Sequence, residues 1–265
     1  MHARTLISRT PQRLRQDRAF TLIEVLVVVS IVVLLVSLLV PSLSRARDQA
    51  KLVTCKSNLH QIGIAVSNYA HPAGLIPFGP KVGGIPPYLE DNDGSKATNQ
   101  IWTGPQAPSM NHMALGLLMN RSLAFPDLLY CPADDSHDPI EELAKVRGRR
   151  PEPGFCSYMY RQLDETDGRG RIDNLGCNGV GRRAVALALD TNFINELDGS
   201  STRTNHRNRR VNILYHDASV ISVDNEKSPL TIIMNAAAMS DPEFLVKRRD
   251  EILQAADASY SGRRP

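Results

Sequence analysis

Between Val25 and Ser44 lie 20 residues without a single charge. An α-helix rises 1.5 Å per residue, so about 20 apolar residues cross the hydrocarbon core of a bilayer. Phe20 to Glu24 lengthen this block at its front, and Glu24 is the one carboxylate there. Arg4, Arg9, Arg13, Arg15 and Arg18 precede it, opposed only by Asp17, a local balance of +4. Arginines on that side favour a cytoplasmic amino terminus. Arg45, Arg47 and Lys51 follow the block, so the asymmetry is incomplete.

From residue 20 onwards there are 26 basic and 27 acidic side chains, so the net +3 of the chain belongs to its first segment. A nucleic-acid-binding body would keep a basic patch of its own, and nucleic acid is not expected as a partner. With the amino terminus in the cytoplasm, the remainder lies outside it, where thiols oxidise. Cys55, Cys131, Cys156 and Cys177 are then disulfide candidates, with three pairings open. Cys156 and Cys177 bracket much of a glycine-rich, charged stretch, Asp164 to Arg182. A bridge there would leave Cys55 with Cys131, and four buried thiols are the alternative.

Beyond the apolar block, Leu52, Cys55, Leu59, Ile62, Val66 and Tyr69 recur at alternating spacings of three and four, one stripe of a helix. A helix from Phe20 to Ala70 would be about 75 Å long. Its first half would sit in lipid or a filament core, and its second half would pack on a globular domain. His71 to Ser109 is rich in proline and glycine and reads as irregular. Within it, Asp91-Asn92-Asp93-Gly94 looks like part of a calcium loop, but the closing glutamate is missing, so a turn is simpler.

Short helices are expected over Asn111–Met119 and Asp138–Arg147, the second capped by Asp138 with Pro139 in its first turn. Phe155–Arg161, Arg183–Asp190, Val211–Tyr215 and Val220–Val223 read as strands, the last two about a turn. Asp241 and Pro242 open a final helix to Ala258. These elements give an α+β fold, a long amino-terminal helix packed on an antiparallel sheet.

Gly-x-Ser-x-Gly, phosphate-loop and His-Glu-x-x-His motifs are absent, so an enzyme is not expected. His206, His216, Asp217 and Asp190 are zinc-type ligands, but they stand in different elements at undiagnostic spacing. The expectation is no cofactor, with a divalent metal at His206, His216 and Asp217 as the alternative. The basic run Arg203 to Arg210 reads as a solvated turn.

Ala19-Phe20-Thr21-Leu22-Ile23-Glu24 resembles the type IV prepilin signature. The resemblance implies that a prepilin peptidase/methyltransferase cuts between Ala19 and Phe20 and methylates the new amino terminus. Glycine usually precedes the cut in that family, and Ala19 stands there instead. Pro41 falls at the twenty-second position from Phe20, where pilins often carry a proline kink. Glu24 would pair with the Phe20 amine of another subunit in an assembling filament. A charge at the centre of a membrane helix costs about 2.5–3.5 kcal/mol and is usually paired.

Cys55-Lys56-Ser57-Asn58-Leu59-His60-Gln61-Ile62-Gly63 resembles the Cys-x-x-Asn-Leu-x-Gln-Ile-Gly segment of a large pseudopilin-like family. Leu115-Gly116-Leu117-Leu118 and Tyr130-Cys131-Pro132-Ala133-Asp134 resemble its later segments. That family often ends with a histidine, nine residues, then Asp-Gly. Here ten residues separate His206 from Asp217-Ala218, and alanine replaces the glycine that suits a tight turn.

The resemblance implies a leader over 1–19, a membrane or filament-core helix over 20–44, an amphipathic continuation over 45–70 and an exported head over 71–265. It implies a structural subunit of a type IV pilus-like or type II secretion pseudopilus filament, single-pass in the inner membrane. Other pilin or pseudopilin subunits, an inner-membrane assembly platform and membrane lipid would be its further partners. The residues leave two alternatives, a membrane-anchored extracytoplasmic solute- or polymer-binding protein and a secreted enzyme cut after Ser42-Leu43-Ser44. The apolar run exceeds the 7–15 residues usual in a cleaved signal.

Overall fold

The computed structural model describes residues 21–77, 96–102, 112–162, 170–190, 192–197, 202–241 and 244–260. The first helix, α1, spans Leu22–Ala70 and carries Pro41 within it. The chain divides into two units, Met1–Ala46 and Arg47–Pro265.

In the first unit, α1 is apolar on every face. Its side chains from Leu22 to Val40 are exposed, Leu26 at 63% and Leu38 at 69%. A helix apolar all round is made for burial in something other than water, and this one is long and apolar enough to cross a membrane.

In the second unit, α1 becomes one-sided. Cys55, Leu59, Ile62 and Val66 are fully buried, while Leu52 and Tyr69 on the same stripe are half-buried. Strands β1 (Lys96–Trp102), β2 (Gly154–Gln162) and β3 (Ala186–Asp190) join β6 (Arg210–Tyr215) and β7 (Val220–Asp224) in a five-stranded sheet, order β1-β2-β3-β6-β7. Every pairing in it is antiparallel. The α1 stripe packs with Tyr158, Tyr160, Leu187, Ala188 and Leu214 on one face. The other face presents Met159, Val211, Ile213 and Tyr215 to Ile252, Leu253 and Ala256 of helix α4 (Phe244–Ala258). The period of two holds on β2 and β6. On β3 the register slips between Ala186 and Ala188, and consecutive Leu187 and Ala188 join the α1 side.

The sheet is thus sandwiched between two helices. The α4 side is fixed by charge as well as by apolar contact. Arg161 of β2 donates to both oxygens of Asp257 at 2.8 and 2.9 Å, with both side chains 1% exposed. Asp257 also accepts from the amides of Val185 and Ala186 and from Asn178 Nδ2, each at 2.9 Å.

On the opposite side, the β6–β7 turn meets α1. A Cβ at Gly63 would lie 2.8 Å from Leu214 Cδ1 and 3.0 Å from Ala218 Cβ. His60 Nδ1 donates to the Ala218 carbonyl at 2.8 Å. The turn forms with alanine in the glycine-favouring position, Ala218 taking φ +62°.

Several expectations need correction. A strand, β1, lies within the stretch expected to be irregular, while Asp91 to Gly94 falls outside the described residues. The expected α+β fold, an antiparallel sheet on the long helix, does form, and to it a second small sheet is added in which β4 (Asn192–Asn195) pairs antiparallel with β5 (Thr202–Thr204) and parallel with β8 (Ile232–Met234). The helix expected over Asn111–Met119 is a 3-10 helix, Ala114–Asn120. A short helix, α3 (Ala236–Ser240), capped by Asn235, precedes α4, and Pro242 and Glu243 lie outside the described residues. Helix α2 forms over Pro139–Arg147 with Asp138 accepting from the Ile140 amide, the cap its sequence calls for.

Candidate functional site

Two places concentrate function-bearing residues. The first is the start of α1. The Thr21 amide and hydroxyl both donate to Glu24 Oε2 at 2.8 Å, and the Glu24 amide donates back to Thr21 Oγ1 at 3.3 Å. This reciprocal pair is a capping box, in which Thr-x-x-Glu satisfies amides that the first helical turn leaves unpaired. Glu24 therefore has an intramolecular partner in addition to the assembly role expected of it. The Thr-x-x-Glu spacing carries the signal, and the overlapping prepilin-like signature obscured it. Ala19 and Phe20 lie outside the described residues.

The second place is buried between α1 and the sheet. Cys55 comes from the α1 stripe, Asp190 from the end of β3, Cys131 from the segment after a 3-10 helix at Pro126–Leu129, and His206 from the connection into β6. One ligand atom from each lies within 4.8 Å of all the others. Cys55 Sγ donates to Asp190 Oδ1 at 2.9 Å, and His206 Nε2 is 3.4 Å from Asp190 Oδ2 and 3.4 Å from Cys131 Sγ. Burial pushes the Cys55 thiol well up. Burial likewise raises Asp190 to about 7, although Cys55 and Asn212 hydrogen-bond to it, and burial with the charge of Lys51 lowers His206 to about 4.

The surrounding chain holds these four groups in place. Asn58, one turn beyond Cys55, donates to the Tyr130 carbonyl at 3.1 Å, pinning α1 to the segment that carries Cys131. The Ala133 amide points at Cys131 Sγ at 3.4 Å. Asp134 accepts from the Ser136 amide, from His137 Nδ1 and from the Ser157 hydroxyl of β2, which fixes the loop to the sheet. Asp135 accepts from the Thr204 amide at 2.8 Å, two residues before His206.

His206, Arg207 and Asn208 then take three successive left-handed conformations, φ +50°, +53° and +58°. Each costs a non-glycine residue on the order of 1–3 kcal/mol and persists only where the surroundings over-determine it. Here they do: Asn208 accepts from Asn225 Nδ2 at 2.7 Å and donates to Ser228 Oγ at 2.8 Å.

The expected ligands separate. His206 and Asp190 come together, whereas His216 and Asp217 lie at the β6–β7 turn, outside that cluster. The ring of His216 sits 6.0 Å from that of Tyr260, and Asp217 accepts from the Tyr260 hydroxyl and the Ser219 amide. A turn capped by its own aspartate leaves that carboxylate engaged locally. Of the cysteine pairs considered, Cys55 and Cys131 come together in the cluster, while Cys156 and Cys177 do not bridge. All four are thiols, Cys55, Cys131 and Cys156 buried and Cys177 exposed. Cys156 donates to the Tyr158 carbonyl at 3.3 Å instead of bridging to Cys177. The residues that sequence reasoning did not join to His206 are Cys55 and Cys131. Their signal was their position inside the two resemblance segments.

The family model described as the prokaryotic N-terminal methylation motif matches residues 14–40. The type II secretion system core protein G of Pseudomonas aeruginosa is 39% identical over 64 residues, 22% of this chain and 45% of that protein, so the chain spans under half the length of this relative. No solved structure matches the chain. In its amino-terminal methylation motif and the apolar helix that the motif enters, the chain is similar to the prepilin-like proteins.

Proposed function

We propose that this protein is a structural subunit of a type IV pilus-like or type II secretion pseudopilus filament. The observation that carries the proposal is the methylation motif at 14–40 running into a helix whose apolar side chains are exposed on every face. A prepilin peptidase/methyltransferase cuts between Ala19 and Phe20 and methylates Phe20. The apolar part of α1 holds the subunit in the inner membrane with the second unit outside the cytoplasm. On assembly the same surface packs against other subunits, supplied through an inner-membrane platform. Glu24 pairs with the Phe20 amine of a neighbour, and exchanging a capping partner for that amine compensates a carboxylate in an apolar setting.

Intact-mass analysis of the mature chain is expected to find methylated Phe20 at the amino terminus. A mature chain beginning at Arg45 would overturn the proposal. In the same preparation, Glu24→Ala should insert in the membrane yet incorporate poorly into filaments. Thr21→Ala removes the cap but keeps the charge, and should incorporate better than Glu24→Ala. Equal defects would assign Glu24 to capping alone.

A further inference from the structure

Two sulfurs, one imidazole nitrogen and one carboxylate oxygen converge from four separate parts of the second unit. Zinc binds such donors tetrahedrally, with bonds of about 2.3 Å to sulfur and about 2.0–2.2 Å to nitrogen and oxygen, so ligand atoms around it stand about 3.3–3.8 Å apart. The separations of 2.9, 3.4 and 3.4 Å within the cluster, inside an envelope of 4.8 Å, need only small side-chain shifts to match.

The second layer of contacts suits a cation as well. The Ala133 amide faces Cys131 Sγ, an arrangement that stabilises a thiolate. Asn212 gives its amide to Asp190 Oδ2 at 2.8 Å, and its Nδ2 donates to His206 Nε2 at 3.4 Å, which marks Nε2 as the unprotonated ring nitrogen, in a bond that an ion there would replace. Asn212 is itself oriented by the Ser222 hydroxyl, which donates to its Oδ1. Outer partners of this kind set the orientation and basicity of metal ligands.

We propose that Cys55, Cys131, Asp190 and His206 form a structural zinc site that joins α1 to the sheet. Four protein ligands leave no open coordination position, and the site sits where water is excluded, which fits a structural and not a catalytic ion. Binding deprotonates the thiols and releases their protons. The site locks together Cys55 of the Cys-x-x-Asn-Leu segment, Cys131 of the Tyr-Cys-Pro segment and His206. It stands apart from the filament reading, which concerns the amino terminus.

The test uses the full chain in detergent, stripped with a chelator and titrated with zinc alone or cobalt(II) alone. The wild-type chain is expected to take up one ion per chain, to show the thiolate-to-cobalt charge-transfer absorption of a tetrahedral site, and to melt at a higher temperature with zinc. Cys131→Ser and His206→Gln should bind at least tenfold more weakly. Cys177→Ser and His216→Gln, which alter a cysteine and a histidine elsewhere, should bind as wild type does.

The wild-type measurement needs no variant to fold. A folded wild-type chain that binds neither ion would overturn the proposal. So would a cobalt spectrum without thiolate character, uptake undiminished in Cys131→Ser, or a Cys55–Cys131 disulfide in the chain isolated from cells.

Discussion

At the scale of single residues, Gly63 and Ala218 form a closely constrained contact. Gly63 has no room for a Cβ against Leu214 and Ala218. Overpacking of this kind costs about 1–3 kcal/mol, the expected penalty of Gly63→Ala in urea unfolding of the chain in detergent. Ala218 sits at φ +62°, where a Cβ costs about 1–2 kcal/mol. Ala218→Gly recovers that, less the extra freedom glycine gives the unfolded chain, a net gain of about 0.5–1 kcal/mol. It also removes one of the atoms that Gly63→Ala would strike. The double variant should therefore be more stable than the two single effects summed, by about 0.5 kcal/mol or more. Strict additivity would show that the two positions do not touch.

At the scale of elements, what the sequence made legible follows a physical rule. Elements whose information is local were readable: the α1 stripe by its spacing, α2 by Asp138 and Pro139, the β6–β7 hairpin by its apolar runs. Elements whose reason lies elsewhere in the chain were not. In β1, Lys-Ala-Thr-Asn-Gln-Ile-Trp carries no alternation, and it is a strand because β2 offers it an edge. The short strands β4, β5 and β8 have three or four residues each and are defined by one another. The Cys55, Cys131, Asp190 and His206 cluster failed for the same reason, since Cys131 reaches His206 across 75 residues and Cys55 reaches Asp190 across 135. In a chain expected to be exported, cysteines invite a disulfide reading, and nothing local says that a histidine and an aspartate arrive beside them.

The attachment of α4 is likewise non-local and testable. Asp257 serves Arg161, two strand amides and Asn178 at once. Asp257→Ala strands a buried guanidinium and should cost about 3–5 kcal/mol in urea unfolding, whereas Arg161→Met with Asp257→Leu should cost much less. A loss below 1 kcal/mol for Asp257→Ala would mean that water reaches Arg161.

At the scale of the whole molecule, the contacts that bury the α1 stripe close very long loops. Cys55 reaches Tyr158 across 103 residues and Asp190 across 135, and His60 reaches Ala218 across 158. Loop-closure entropy opposes such contacts before they return any stability, so chains built on them fold slowly. Pulsed thiol alkylation during refolding should find Cys55 becoming protected together with Cys131 in the slowest phase, with Cys177 reactive throughout. Early protection of Cys55, separate from Cys131, would contradict this order.

The consequence is a mismatch between the order of synthesis and the order of folding. Leu59, Ile62 and Val66 are made in the first quarter of the chain, yet the hairpin that shelters them is translated only near its end. Until that hairpin emerges, the chain holds an apolar stripe that is only partly covered, the condition under which nascent chains find wrong partners.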